Sequence, residues 1–214
     1  MRHRVNIGCG RSPTEGWINF DNSPAIKLAA SPFKYRLARL FGLLNDHQIE
    51  NIEWNRSHKV RFADATKRIP LEDGSAECVY TSHMLEHLSR DGARRFLEEA
   101  RRVLMDGGIL RVAVPDLTIA IEEFRVTGDA DRFMESILVE APPINTLQEK
   151  FTLMVSGYRH HQWMYDGASL RKLMSENGFR DVTLCQAGQT MIENPVGLDA
   201  RERIEESVYV EGVK

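Results

Sequence analysis

Long apolar runs, paired cysteines and a dominant charge sign are all missing from this chain of 214 residues. No stretch approaches the ~20 consecutive apolar residues that a membrane helix needs, so a membrane-spanning reading is set aside. The three cysteines, Cys9, Cys78 and Cys185, lie far apart with no Cys-x-x-Cys pair, which indicates neither a disulfide framework nor a zinc site. No metal is expected. Net charge is −3, and Lys and Arg are scattered rather than gathered into a stripe, which argues against nucleic acid as the main partner and for a small molecule. Met1-Arg2-His3-Arg4 runs directly into the first apolar segment without room for a signal sequence, so cytoplasmic residence is the expectation. What is present is ordinary for a globular protein: 42% hydrophobic and 28% charged residues, in a length that suits one domain over 1–214.

Short apolar or alternating runs predict seven strands, near 4–7, 17–20, 59–62, 78–82, 109–114, 181–186 and 207–211. Between them lie helical patterns. The clearest is 91–104, where Ala93, Phe96, Leu97, Ala100, Val103 and Leu104 share one face, Asp91 offers an N-cap and Gly107-Gly108 a stop. Alternating strands and helices imply a doubly wound, Rossmann-like α/β sheet, mostly parallel. Two helical segments, about 31–55 and 117–165, exceed this rhythm, and Ala141-Pro142-Pro143 divides the second. Such insertions after strand carboxyl ends tend to cover a ligand crevice, so both are expected over the site. The charged run 199–206 is expected to be a solvated helix or turn.

The first strand ends in Gly8-Cys9-Gly10, where glycine admits positive φ and brings bare main chain close to a ligand. A second short strand ends in Asp21, a carboxylate able to accept both hydroxyls of a ribose. A third ends in Ala63-Asp64-Ala65. Then come Ile69-Pro-Leu-Glu-Asp-Gly-Ser-Ala-Glu-Cys-Val-Tyr80, Thr81-Ser-His-Met-Leu-Glu-His-Leu88 and Glu98-Glu-Ala-Arg-Arg-Val-Leu-Met-Asp-Gly-Gly108. With these four ordered phrases the chain, from about 5 to 116, resembles the class I S-adenosylmethionine-dependent methyltransferases, particularly the type 11 domain group. The resemblance implies an antiparallel last strand and S-adenosylmethionine as cofactor, with S-adenosylhomocysteine as product. It implies further that Gly8, Cys9 and Gly10 pass the methionine part, Asp21 holds the ribose, Asp64 the adenine amino group and Ala65 the ring. Ser82 and His83 would line the sulfonium end.

The chain also departs from that pattern. Asn6 stands where the family usually has an acid, the third glycine is replaced by Ser12 followed by Pro13, and about a dozen residues separate Gly8 from Asp21. That is too short for a full crossover helix, so a shortened first helix is expected, with loop amides, Arg11 or Arg2 as anion partners. It also counts against nicotinamide binding, whose loop needs a glycine where Pro13 stands.

Among the histidines, His83 and His161 are the catalytic candidates, each able to take a proton from an acceptor. His83, Glu86 and His87 fit one helical face, but the resemblance makes Glu86 and His87 scaffold residues. The cluster from Tyr158 through Arg159, His160, His161, Gln162, Trp163, Met164 and Tyr165 to Asp166 could face an acceptor, with Asp166 capping the next helix. A two-histidine zinc site there would need further ligands that the sequence does not specify. The expected function is methyl transfer by in-line displacement to a small-molecule or sugar acceptor. The alternative is a non-catalytic module that binds the same cofactor in regulation or assembly.

Overall fold

The computed structural model describes residues 2–139 and 160–214. Seven strands form one sheet: β1 (His3–Ile7), β2 (Ile18–Asp21), β3 (Arg61–Phe62), β4 (Ala76–Ser82), β5 (Leu104–Pro115), β6 (Arg180–Cys185) and β7 (Ser207–Val213). Their order is β3-β2-β1-β4-β5-β7-β6, and only β7 runs antiparallel to its neighbours. Every predicted strand is present within about three residues, except that β5 begins five residues early. β7 pairs in unbroken register from Ile109↔Val213 to Pro115↔Ser207, so the closing strand is wedged between β5 and β6.

The helices are α1 (Pro24–Ala29), α2 (Pro32–Leu40), α3 (Asp46–Ser57), α4 (Arg90–Val103), α5 (Leu117–Thr127), α6 (Ala130–Ile137) and α7 (Gly167–Glu176). α4 starts one residue before its predicted position because Ser89, not Asp91, is the cap: its side chain accepts from the Gly92 amide. It ends at Val103, where Leu104 is already extended, so Gly107-Gly108 lies inside β5 and is not the helix stop. Pairing of Leu104 with Ala76 in the sheet outweighs the local glycine signal. Asp166 caps α7 as expected, in a reciprocal capping box with Ser169.

No helix forms between β1 and β2; the connection holds turns alone. Pro13 has no amide hydrogen to give a helix, and two asparagines do the tying instead. Buried Asn6 donates to the Thr14 hydroxyl at 2.9 Å, while Asn19 accepts from the Thr14 amide at 2.7 Å and donates to the carbonyls of Thr14 and Trp17. The side chain in the family's acidic position therefore builds the loop.

One face of the sheet carries the main core. Val5, Ile7, Val79, Leu110, Val112, Val208 and Val210 meet Phe96, Leu97 and Ala100 of α4 and Leu170, Leu173 and Met174 of α7. The alternate residues, Cys78, Tyr80 and Ile109, face Trp17, Ile192 and Leu198, so segment 186–206 rather than a helix covers this part of the second face. Beneath it lies a fully buried ion pair, Arg111 to Glu211 at 2.6 Å. The segment is knitted to that pair: Glu211 accepts from the Thr190 hydroxyl and the Met191 amide, and Arg111 donates to the carbonyls of Gln189 and Ala200.

The two expected insertions are helical where described, as α2 and α3 and as α5 and α6. α1 and α3 close on the first loop through Cys9, Ile26, Val60 and Trp54. The Ala141-Pro142-Pro143 break lies outside the described residues, as do Tyr158 and Arg159. Among the described residues, no helix is long and apolar enough to cross a membrane.

Candidate functional site

All strands that lead into the candidate residues deliver them at their carboxyl ends, the usual ligand end of an open α/β sheet. Gly8 has φ +71°, and a Cβ there would lie 2.5 Å from Met84 Cγ. Met84, from the turn after β4, thus sits on the first glycine. Gly10 has φ +50°, and a Cβ there would meet nothing within 4 Å, so its open face is the one available to a ligand.

The loop amides are committed to the fold. Gly8 and Cys9 donate to Phe20 O, Gly10 donates to Asp21 Oδ2 at 3.0 Å, and Ser12 donates to Cys9 O. This corrects the expectation that these amides hold the cofactor tail: with no helix to close the connection, they close it themselves. Cys9 is buried against Ile26, and burial, reinforced by the nearby Asp21 charge, pushes its thiol up to about 12. It is a packing residue. Arg11 is occupied with Glu50 at 3.0 Å on α3. Arg2 precedes β1, about 16 Å of strand away from the glycines at the opposite end of the sheet, so it cannot act as their anion partner.

Asp21 Oδ1 accepts from the Ser23 amide at 2.7 Å, so each of its oxygens has one donor and keeps a second lone pair for a diol. Asp64 follows β3; its Oδ1 takes the Thr66 amide and hydroxyl, and Oδ2 takes Lys67 at 2.8 Å. Burial tends to raise the carboxyl pKa, but these hydrogen bonds and the lysine charge outweigh it and hold the group below the usual carboxylate range. Ala65 beside it is buried.

Two of the quoted phrases prove to be halves of one clamp. Arg102 on α4 donates to the carbonyls of Ile69 (2.8 Å) and Leu71 (3.0 Å) and pairs with Glu99 and Asp73, while Glu99 accepts from the Ile69 amide at 2.8 Å. The loop that carries Asp64 and Ala65 is pinned to the helix this way.

At the exit of β4, the Thr81 and Ser82 hydroxyls are buried without a hydrogen-bond partner among the described residues. His83 has a left-handed φ of 49°, a conformation that costs a non-glycine residue energy and often marks a site. Its amide continues the ladder to Ala113 O. Its Nδ1 accepts from Arg203 at 3.2 Å, and its Nε2–H donates to the Ser207 hydroxyl at 2.8 Å. Burial, with Arg203 adding to it, lowers its pKa to about 3, so the ring is a poor proton acceptor near neutrality.

His161 is buried and donates Nδ1–H to Ile137 O at 2.9 Å. Its segment is laced to the turn after β4: the amides of Gln162 and Trp163 donate to Glu86 O, and the Gln162 side chain donates to His87 O. The Glu86 side chain behaves differently from the scaffold role the resemblance gave it. Only its backbone carbonyl does tying work, while its fully buried carboxylate has no hydrogen-bond partner among the described residues. Trp163 lies half exposed under Arg90, with the guanidinium 4.8 Å from the ring centroid. Tyr165 is a core anchor. A pocket of about 320 Å³ opens here, lined by His83, Glu86, His87, His161, Arg203 and Glu206 among others. Arg203 and Glu206 were missed from sequence, since the run 199–206 does form turns but sends these two side chains to the pocket and Glu202 to the Tyr80 hydroxyl.

Against known proteins, the family model described as "Methyltransferase domain" matches residues 25–112. Over that stretch the chain is similar to a methyltransferase domain. The fold agrees with this. A methyltransferase of Methanosarcina mazei superposes with a TM-score of 0.52 at 12% identity, covering 99% of this chain and 92% of that one. A Thermotoga maritima methyltransferase, described as a possible histamine N-methyltransferase, gives 0.51 at 18% identity, with 100% and 83% covered. A curated relative, an uncharacterised 37.1 kDa protein in transposon TN4556 of Streptomyces fradiae, is 45% identical over 74 residues. That match spans 33% of this chain and 21% of the relative's length. S-adenosylmethionine is the cofactor that the similarity to a methyltransferase domain implies. The spare lone pairs of Asp21, the open face of Gly10 and the orphaned hydroxyls of Thr81 and Ser82 are chemistry that fits it.

Proposed function

We propose that the chain methylates a small-molecule acceptor, with a sugar hydroxyl the preferred class, docked in the pocket beside His83. The observation that carries this reading is that pocket. At about 320 Å³ it is of small-metabolite size, and it opens at the carboxyl ends of β4 and β5 beside Ser82, where the sulfonium end of the cofactor is expected. Its lining sets Arg203, Glu206 and three imidazoles beside Pro115 and Leu138, so it offers hydrogen-bonding groups for acceptor hydroxyls and apolar surface for a carbon face.

In this reading Asp21 binds the ribose hydroxyls, Asp64 and Ala65 meet the adenine, Gly10 lets the methionine part pass, and Ser82 and His83 frame the sulfonium. Bound cofactor supplies a methyl group already activated on sulfur. The acceptor atom would take that methyl in line, with S-adenosylhomocysteine as the leaving group, and its proton would pass to a base or to solvent. The chain's contribution is placement and exclusion of water. His83, with both ring nitrogens engaged, positions the acceptor rather than taking its proton.

Release of S-adenosylhomocysteine across a panel of metabolites and glycans tests the reading. Turnover with a hydroxylated acceptor supports it, whereas tight cofactor binding with no turnover on any of the panel favours the non-catalytic module. Asp21→Ala and Asp64→Ala are each expected to weaken cofactor binding about tenfold or more in calorimetry, since a charge-assisted hydrogen bond contributes about 1.5–3 kcal/mol. Unchanged affinity in both would remove the site assignment.

A further inference from the structure

We propose that Glu86, His87 and His161 form a binding site for a divalent transition-metal ion of the zinc class. Their donor atoms lie within 4.8 Å of one another, and two of the three residues are buried. The hydrogen bonds around the rings fix which nitrogens face inward. His87 Nδ1 lies 3.1 Å from His160 O and His161 Nδ1 lies 2.9 Å from Ile137 O. A carbonyl only accepts, so Nδ1 carries the proton in each ring and the neutral Nε2 presents a lone pair. Both Nε2 atoms face the same oxygen, Glu86 Oε1, at 3.9 and 4.0 Å.

Two imidazole lone pairs therefore converge on one carboxyl oxygen. Neither carboxylate oxygen of Glu86 has a hydrogen-bond partner among the described residues, and the side chain is fully buried. A buried carboxyl group is stable when it is protonated, paired or bound to a metal. A shared proton would draw an imidazole to about 2.7–2.9 Å, and the observed separations are far too long for that. A cation between the donors fits better. Tetrahedral ligands about 2.1 Å from zinc stand about 3.4 Å apart, so the shell closes by about half an ångström between each imidazole and the carboxylate and by up to about 1.4 Å at the widest donor pair.

The outer shell is already that of a metal site, since imidazole ligands ordinarily donate the distal N–H to a carbonyl or carboxylate. Two imidazoles and one carboxylate are also a common zinc set that leaves a coordination position open, here toward the pocket. His83 is excluded from the shell because both its ring nitrogens are engaged. Arg203 lines the same pocket, and Glu206 beside it at 3.3 Å balances its charge. Such an ion would join the turn after β4 to the segment entering α7, two parts of the chain more than seventy residues apart in sequence. The site stands independently of the methyl-transfer reading.

The full chain, stripped with chelator and freed of it, is titrated with Zn²⁺ by calorimetry and with Co²⁺ by visible absorption. One saturable ion per chain is expected, with cobalt bands of low coordination number and a higher thermal midpoint with metal than without. Glu86→Gln and His161→Ala should each weaken binding about 100-fold or more, beyond the 10–100-fold cost of losing an outer-shell partner. His58→Ala and Cys185→Ser, at remote positions, should bind as the unaltered chain does. In the unaltered chain, imidazole nitrogen shifts on adding Zn²⁺ should move at His87 and His161, which keeps the test decisive should a variant fail to fold. No saturable binding, shifts confined to other histidines, or binding that survives both Glu86→Gln and His161→Ala would overturn the proposal.

Discussion

Two glycines two residues apart have opposite reasons to be glycine. Gly8 combines a positive φ with Met84 packed where a Cβ would stand, so Gly8→Ala is expected to cost about 2–4 kcal/mol of stability in denaturant titration. Adding Met84→Ala should recover only a fraction of the steric part, because the Met84 Cβ that alanine keeps lies 2.8 Å from the same position. Gly10 has the strained φ but open space, so Gly10→Ala should cost about 1–2 kcal/mol of stability while weakening cofactor binding disproportionately. A larger binding loss at Gly8 than at Gly10 would mean that the ligand passes the loop on its other side. The sequence showed both glycines and their proximity to a strand end. It could not show Met84 arriving from a separate strand, since that contact depends on β1 and β4 being neighbours in the sheet.

At the scale of elements, the clamp between α4 and the loop before β4 makes a pH prediction. Arg102 holds the Glu99 carboxyl below its ordinary pKa, with the Ile69 amide assisting. A depressed folded pKa contributes stability that is present above the unfolded value and lost as pH falls through the folded one. Glu99→Gln should therefore cost about 1–2 kcal/mol at neutral pH, and the gap to the unaltered chain should close below about pH 4. A gap that persists into acid would show that the pairing matters through shape alone. The strands and α4 were legible because their apolar periodicity is local; the short spacing around Pro13 excluded a full first helix, but the structure has no helix there where a shortened one was expected. Ser89 as cap was not, because Asp91 two residues later is equally suited by type and only the path of the backbone decides. Arg203, Glu206 and the meeting of His161 with Glu86 left no local signal at all. They are joined by loops across the sheet end, and one of these loops reads in sequence as solvated charge.

For the whole molecule, the buried Arg111–Glu211 pair bonds the second face of the sheet to its cover. Arg111→Met strands a carboxylate at zero exposure and should cost about 3–5 kcal/mol in equilibrium unfolding, whereas pairing it with Glu211→Leu should restore most of that loss. If the double variant is no better than the single, the hydrogen bonds to segment 186–206, rather than the charge balance, hold the face.

The position of β7 has a further consequence, in time rather than in space. A chain made from its amino end presents the edge of β5 and a partnerless β6 until residues 207–213 emerge, because β7 alone joins them. The half-made protein thus carries an open strand edge of the kind that recruits other chains, and the last of these seven strands to be synthesised is the one that removes it. Aggregation during expression should accordingly respond to changes in the β5 edge more strongly than the finished protein's stability does.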